Sequence, residues 1–324
     1  MDSSTILYLS QKDVAQIDLP MSRIVEALET MFVEKGEGRV EMPPKPGIHT
    51  RPDAFIHAMP AYIPSMEAAG MKWISGYPAN QSKGLPYITG LMILNDPDTG
   101  IPKAIMDASW ITAKRTGAAS AVAAKYLARP DSQTLGLLAC GVQGRSNLEA
   151  MACVFGLTHV KAYDLYPEVA QRFAAEMGPK LQVDIEVVSD PRDAVCGLDL
   201  VVTSGPIVKD PTPVIEAGWM AEGSFASPVD FDCLWTKESI AQMDKISTDD
   251  FAQMDYYRKA GYFPVTPQPY ADLGQIICGK KPGRESDSER TMAMNLGLAL
   301  DDMATGVVIL AEARQKGLGI ELPL

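Results

Sequence analysis

The sequence predicts an α/β protein in which a doubly wound parallel sheet is joined to a second, α+β portion. Three observations carry this expectation. After Pro130, short apolar strands alternate with helical segments. The first of those strands ends in a glycine-bearing turn, Ala139-Cys140-Gly141-Val142-Gln143-Gly144. The first hundred residues instead run strand–turn–strand with few helices, the order of a mostly antiparallel sheet.

Taken in order, Ile24, Val25, Leu28, Met31 and Phe32 recur at helical spacing, with Ser22 placed to cap that helix and Gly36 to stop it. Residues 42–64 are proline-rich. MKWISGY then reads as a strand, and PYITGLMILND as a second that ends in the turn DPDTG, with KAIMDA as its hairpin partner. The Ala-rich stretch TAKRTGAASAVAAKYLA (112–128) predicts a helix that stops at Arg129-Pro130. Its many small residues predict close packing on both sides. TLGLLAC, RSNLEAMACVF, VKAYDLY, PEVAQRFAAEM, VDIEVV and LDLVVTSG follow in a βαβαβ rhythm, which predicts a parallel sheet covered by helices. A last long helix is expected from about Ser288 to Lys316, with Met292, Leu296, Met303, Val307 and Leu310 on its apolar face.

Composition narrows the function classes. The chain has 324 residues, roughly two domains' worth. With 46% hydrophobic and 22% charged residues it has the apolar surface that a disordered chain lacks. Lys and Arg number 29 against 41 Asp and Glu, a net charge of −12. An acidic surface repels phosphate backbones and anionic lipid, so neither nucleic acid nor membrane is expected as a partner. The five cysteines, Cys140, Cys153, Cys196, Cys233 and Cys278, include no CxxC pair, and His49, His57 and His159 add little material for a metal site. No metal is expected. The N-terminus lacks a signal-peptide pattern and no apolar run approaches membrane-spanning length, so a cytoplasmic, reduced protein is expected.

The turn after TLGLLAC carries the chemistry. A dinucleotide fingerprint, GxGxxG, would place glycine at 139, where this chain has Ala. Gly141 lets the backbone approach a pyrophosphate and Gly144 lets the helix pack on its strand, with Val142 and Gln143 completing the turn. Unpaired N–H groups at the helix start favour the anion. Asp164 follows Gly144 by 20 residues at the end of the next strand. A carboxylate there accepts hydrogen bonds from the adenosine ribose, favouring NAD(H) over NADP(H). Arg145 would offset that preference by turning towards the ribose. Thr203-Ser204-Gly205, ending the strand LDLVV, lies where the nicotinamide half of a nucleotide passes in a doubly wound sheet. A glycine turn alone fits an ordinary tight turn equally well. Strand, turn, helix, second strand and acidic end together favour the nucleotide.

KWISGYPAN (72–80), NDPDTGIPKAIMDASWITAKRTGAASAVAAKYLA (95–128), the GVQ turn and GLALDDM near the C-terminus resemble the ornithine cyclodeaminase/μ-crystallin family, and the similarity covers nearly the whole chain. The resemblance implies a Rossmann-type NAD(H)-binding domain over 116–299 and a discontinuous substrate-binding and dimerisation domain over 1–115 and 300–324. It implies a homodimer acting on a small amino-acid or imino-acid substrate, with hydride transfer at a carbon bearing nitrogen. Arg115 resembles the family's carboxylate-binding arginine, Lys72 matches the family lysine at the same carboxylate or the reacting amine, and Thr116 falls on the cofactor side of the same motif. Read without the motif, both cations are ordinary solvated charges.

Elsewhere the chain departs from the cyclodeaminase pattern. Pro43-Pro44-Lys45 stands where the family often has an arginine after a proline pair, so the charge remains and the fork is lost. His57 stands near the place of a cyclodeaminase glutamate, either as a proton-transfer group or as a satisfied histidine beside a strand. SFASPVDFDCLW (224–235) replaces the glycine-rich segment that ends in aspartate and PGKTEL. Asp232 aligns with the catalytic aspartate and Asp230 competes with it. Either would hold the substrate amine or relay its proton, unless both merely cap a loop. Tyr256, Tyr257, Tyr262, Phe263 and Tyr270 pack a long loop or line a pocket, and Cys140 and Cys233 are read as apolar fillers. The missing PGKTEL favours an imine reductase or amino-acid dehydrogenase. Ornithine cyclodeaminase with internally recycled NAD is the alternative, and a non-catalytic nucleotide-binding dimer is the competing class.

Overall fold

A computed structural model describes residues 5–51 and 54–324. The chain divides into two compact units, Met1–Arg115 with Leu298–Leu324, and Thr116–Gly297. The first begins with β1 (Thr5–Leu9), α1 (Gln11–Gln16), α2 (Met21–Gly36), β2 (Gly47–Ile48) and β3 (Phe55–Ile63). β4 (Ala68–Gly76), β5 (Ile88–Asn95), β6 (Pro102–Asp107) and the start of α3 (Ser109–Leu127) follow. The second unit holds β7 (Thr134–Leu138), α4 (Val142–Val154), β8 (His159–Tyr163), α5 (Pro167–Leu181), β9 (Asp184–Val187) and β10 (Leu200–Thr203). It continues with β11 (Phe225–Pro228), α6 (Lys237–Ile240), β12 (Lys245–Thr248), α7 (Phe251–Lys259), β13 (Ala271–Asp272), α8 (Leu273–Ile277) and β14 (Thr291–Met294). α9 (Ala299–Lys316) and β15 (Ile320–Pro323) return to the first unit. Among the described residues no helix is long and apolar enough to cross a membrane.

The first unit is built on a seven-stranded sheet in the order β15-β1-β6-β5-β4-β3-β2, antiparallel throughout except between β1 and β6. Strand side chains alternate between faces, and that period sets which groups meet the core. Met59, Lys72 and Met92 are register partners on β3, β4 and β5, and all three are buried. Their neighbours Trp73 and Leu91 pair on the opposite face and are exposed. α9 covers the buried face with Leu300, Met303, Ala304 and Ile309 buried, and α2 packs against α9 with Ile24, Leu28, Met31 and Phe32 buried.

Two local expectations are corrected here, and the proline-rich stretch gains a strand. Ser22 does not cap α2: the cap position is Pro20, without a side-chain hydrogen bond, and Ser22 lies inside the first turn. The proline-rich stretch contains β3, whose buried residues His57, Met59, Ala61 and Ile63 fall two apart. The C-terminal helix does not begin near Ser288. Thr291–Met294 is a fully buried strand, and α9 starts only at Ala299, so Met292 and Leu296 leave its apolar face. A buried apolar run of four residues has no period to separate strand from helix.

The second unit is an eight-stranded sheet, β13-β12-β14-β11-β10-β7-β8-β9, in which every pairing is parallel. From β7 the order runs out to β8 and β9 on one side and to β10 and β11 on the other, with β14 inserted before β12 and β13, a doubly wound sheet whose switch point lies between β7 and β10. Such a sheet leaves a crevice for ligand at the carboxyl ends of those two strands. Burial on both faces explains the unbroken apolar runs: β10, β11 and β14 are buried at every position.

Asp199 ties the starts of β7 and β10 together. Its carboxylate accepts hydrogen bonds from Gln133 N at 2.9 Å, Thr134 N at 3.0 Å and Thr134 Oγ1 at 2.8 Å, and it pairs with Arg129. Burial pushes its pKa up, but those donors and the Arg129 charge outweigh burial and hold it below the ordinary 3.8. A depressed carboxyl stabilises the fold above its unfolded pKa and loses that contribution as it protonates. Asp199→Ala should therefore cost about 1–3 kcal/mol at pH 7, seen as an earlier urea midpoint. The gap to the parent protein should close as the pH falls below 3.8.

Candidate active site

The turn between β7 and α4 has the backbone of a dinucleotide fingerprint although its first glycine is missing. Ala139 adopts φ 73°, the left-handed conformation that favours glycine. Its N–H donates to the Tyr163 carbonyl, and its own carbonyl accepts from Ser204 Oγ at 2.8 Å. A Cβ added at Gly144 would stand 2.6 Å from that same carbonyl oxygen, so only glycine lets α4 approach. A Cβ at Gly141 would meet nothing within 4 Å, and Gly141 caps α4 without a side-chain hydrogen bond. The turn is thus an open cradle facing the N–H groups of a 13-residue helix, which suits a pyrophosphate. Val142 is exposed beside it, and Gln143 Oε1 is buried without a hydrogen-bond partner.

Asp164, just past β8, accepts from Cys140 N at 2.8 Å and Tyr166 N at 3.0 Å, so its carboxylate is fixed against the turn. Leu165, Tyr166, Ile207 and Val208 are exposed apolar side chains near the carboxyl ends of β8 and β10, suited to a base. Arg145 is engaged by protein groups. It donates to Glu176 at 2.8 Å and to the Cys140 carbonyl, and its guanidinium lies 5.5 Å from the Phe173 ring. Burial raises the Cys140 thiol pKa to about 12, which makes it an inert filler.

Past β10, Thr203 Oγ1 donates to Asp230 at 2.5 Å and Gly205 N donates to its other oxygen at 2.9 Å. Burial pushes the Asp230 carboxyl up to about 6 against those two donors. Asp232 gathers Val265 N, Thr266 N and Thr266 Oγ1 on one oxygen, at 3.2, 3.2 and 2.9 Å. Between the two aspartates Phe231 has φ 63°, and its ring meets Phe263 at 4.4 Å and Tyr257 at 5.0 Å. The aromatic cluster forms around Phe231, whereas Tyr270 leaves it to donate to the Pro282 carbonyl. Burial lifts the Cys233 thiol to about 11, so it too is no nucleophile.

The cations gather within the first unit. Lys72 points to the buried face of β4, and Arg115 lies one turn after Thr112 on α3. Lys72 Nζ lies 2.6 Å from Asp302 Oδ2 and donates to Thr112 Oγ1 at 3.3 Å. Arg115 Nε donates to Asp302 Oδ1 at 3.2 Å, and Nη1 stands 3.5 Å from Asp301 Oδ2. All four charged groups are buried. Burial pulls the Lys72 pKa down to about 8, with Asp302 opposing the fall and Arg115 and Lys45 adding to it. Lys45 is buried in the segment before β2. His57 stacks on Phe55 at 4.4 Å, and burial, with the charges of Lys45, His49 and Lys72, lowers its pKa to about 4. It is therefore neutral at pH 7. Asp301 and Asp302 are absent from the sequence-derived set. Their motif, GLALDDM, is visible there, but acidic residues in a first turn are ordinary helix-dipole partners. Among the described residues no cluster of His, Cys, Asp and Glu assembles to hold a metal.

A doubly wound sheet with a pyrophosphate cradle at its switch point defines a nucleotide-binding class. More particularly, the ornithine cyclodeaminase/mu-crystallin family model matches residues 6–317, and the chain belongs to that family. It is 36% identical over 321 residues to the nodulation efficiency protein NfeD of Rhizobium meliloti, covering 97% of both chains. The Δ1-pyrroline-2-carboxylate reductase of Thermococcus litoralis, solved with NADH and L-proline, superposes with TM-score 0.88 at 33% identity, covering 97% of this chain and 99% of that one. An archaeal alanine dehydrogenase dimer with bound NAD superposes equally well, TM-score 0.88 at 33% identity, covering 99% of each chain.

The turn yields a direct test. Gly144→Ala should lower the melting temperature by an amount equivalent to about 1–3 kcal/mol, because its Cβ displaces the Ala139 carbonyl. Ala139→Gly, which keeps the same backbone without a Cβ, should stay within about 1 kcal/mol of the parent.

Proposed function

We propose that this chain is an NAD(H)-dependent enzyme transferring hydride at the Cα of an amino acid or its imine, as an imine reductase or amino-acid dehydrogenase. The observation that carries the reading is the buried pairing of Lys72 and Arg115 beside Lys45 and His57. Burying an ammonium and a guanidinium is costly even when they are paired, and storage of a nucleotide needs neither. A substrate carboxylate does need them, because holding it fixes Cα for transfer. The NADH and L-proline complex of the Thermococcus relative supports the same substrate class.

Each residue has a proposed task. Arg115 and Lys72 bind the carboxylate, with Lys45 adding charge and neutral His57 shaping the pocket wall. Gly141, Val142, Gln143 and Gly144 cradle the pyrophosphate, and Asp164 takes the adenosine ribose. Thr116, Thr203, Ser204 and Gly205 serve the nicotinamide half. NAD(H), when bound, supplies or accepts the hydride. Asp232 relays the amine proton, and Asp230 is its competitor for that task. The engagement of Arg145 with Glu176 supports NAD(H) over NADP(H). Exposed Trp73 and Leu91 on the outer face of the first sheet support a homodimer, as does the archaeal dimer. Five free thiols fit a reducing cytoplasm.

The deciding experiment incubates the purified protein with NADH and Δ1-pyrroline-2-carboxylate, or with pyruvate and ammonia, and separately with NAD and L-ornithine. Oxidation of NADH supports the proposal. Proline and ammonia formed without net NADH would make the protein a cyclodeaminase, and bound nucleotide without turnover of any substrate would make it a binding protein. Arg115→Ala should lower kcat/KM about 100-fold, since it removes one partner of a buried charge pair. Asp164→Ala should weaken NAD and narrow its preference over NADP. The parent's kcat/KM should fall as the pH rises through about 8, where Lys72 loses its proton.

A further inference from the structure

We propose that Asp302 is the positioning residue of the carboxylate site, holding the Lys72 ammonium and the Arg115 guanidinium in one arrangement from the first turn of α9. This rests on the reading of Lys72 and Arg115 as carboxylate ligands. The geometry is specific to Asp302. Its Oδ2 takes Lys72 at 2.6 Å and its Oδ1 takes Arg115 Nε at 3.2 Å, so one carboxylate ties a strand cation to a helix cation. It is fully buried, and bulk water does not compete for either oxygen. Neighbouring Asp301 has a different task. Its Oδ2 accepts from Leu298 N at 2.9 Å, closing the start of α9, and reaches Arg115 only at 3.5 Å.

What Asp302 leaves open matters as much as what it takes. Among the described residues, Lys72 Nζ is ion-paired with Asp302 Oδ2 and donates one N–H to Thr112 Oγ1. Arg115 is engaged through Nε and Nη1. The rest of the ammonium and the Nη2 edge are the donors that would meet a ligand carboxylate. Held from behind by one carboxylate, the two cations present those donors to a second one. An ammonium and a guanidinium without Asp302 repel each other, and each would adopt several rotamers.

Asp302 also keeps Lys72 charged. Lys72 is faced by Asp302 and Asp301 from α9, Arg115 from α3, Lys45 from the segment before β2, and His57 from β3. Burial and the cations favour loss of its proton, and the carboxylate at 2.6 Å opposes that loss. Replacing it by a neutral amide moves the titration of Lys72 to lower pH.

The test uses the full chain with Asp302→Asn, beside Asp301→Asn and Lys72→Met. In protein labelled with 13C at lysine Cε, the Lys72 resonance (assigned as the one lost in Lys72→Met) should titrate at least one pH unit lower in Asp302→Asn. Asp301→Asn should move it less. With NADH and Δ1-pyrroline-2-carboxylate, Asp302→Asn should raise KM about tenfold or more, with NADH affinity unchanged. Its alkaline limb should move to lower pH. An unmoved Lys72 titration overturns the proposal. So does an unchanged KM in Asp302→Asn when Lys72→Met raises it. If Lys72→Met itself leaves KM unchanged, the carboxylate reading has failed instead, and the positioning role falls with it. Should Asp302→Asn not fold, Asp302→Glu carries the same readouts. Its longer arm displaces Arg115, and parental KM in that variant overturns the proposal.

Discussion

The first unit is organised around one buried ionic contact, the Asp302 carboxylate shared by Lys72 and Arg115. It ties β4, the start of α3 and α9 to one another, because each contributes a buried charge to it, with Asp301 as a second, longer partner of Arg115. Taking such groups out of water costs several kcal/mol per ion before attraction returns any of it. Methionines at the same depth would pack as well, and Met59 and Met92 flank Lys72 in register on both sides. A fold selected for stability alone would extend that stripe across β4. The interruption of an apolar row by a lysine is therefore the feature of this sheet that stability does not explain, and it is the feature on which the proposed carboxylate site rests.

The second unit solves a different problem with backbone rather than side chains. Its crevice at the switch point opens onto the start of α4, whose N–H groups have no side-chain cap and suit an anion. Keeping that helix close to β7 demands a turn whose carbonyl at 139 lies against Gly144, where no Cβ intervenes. The chain achieves it with φ 73° at an alanine, held by Tyr163 on one side and Ser204 on the other. A left-handed non-glycine residue costs about 1–2 kcal/mol. Those two hydrogen bonds show how the surrounding sheet holds it in place.

How much of this was legible in the sequence depends on the range of the interactions involved. The βαβ rhythm with Gly144 and Asp164 locates the crevice, a short-range signal. The burial of Lys72 was not legible that way: without the family motif it reads as a solvated strand charge, because its apolar register partners Met59 and Met92 come from other strands. The partners of the two cations were not legible, since Asp301 and Asp302 lie more than 180 residues from Arg115 in the chain. In sequence, acidic residues at a helix start read as dipole partners, and Asp301 is partly that. Thr291–Met294 was misjudged for a related reason: its strand character comes from neighbours on β11 and β12, not from any period of its own.

The two aspartates around Phe231 show how a local conformation converts sequence neighbours into separate devices. With φ 63° at Phe231, the chain reverses between them, and the carboxylates reach different loops. Asp230 holds Thr203 and Gly205, on the path past β10, while Asp232 holds Val265 and Thr266. Phe231 itself is pinned by Phe263, another left-handed residue two positions before Val265. The strained pair and the two latches thus constrain the same segments from both sides. Asp232 Oδ2 already accepts three hydrogen bonds, so the proton relay proposed for Asp232 would fall to Oδ1. Rotation of that carboxylate would release Thr266 and unseat the aromatic cluster with it. In this arrangement, positioning the Asp232 carboxylate and ordering the 263–266 segment are one structural event.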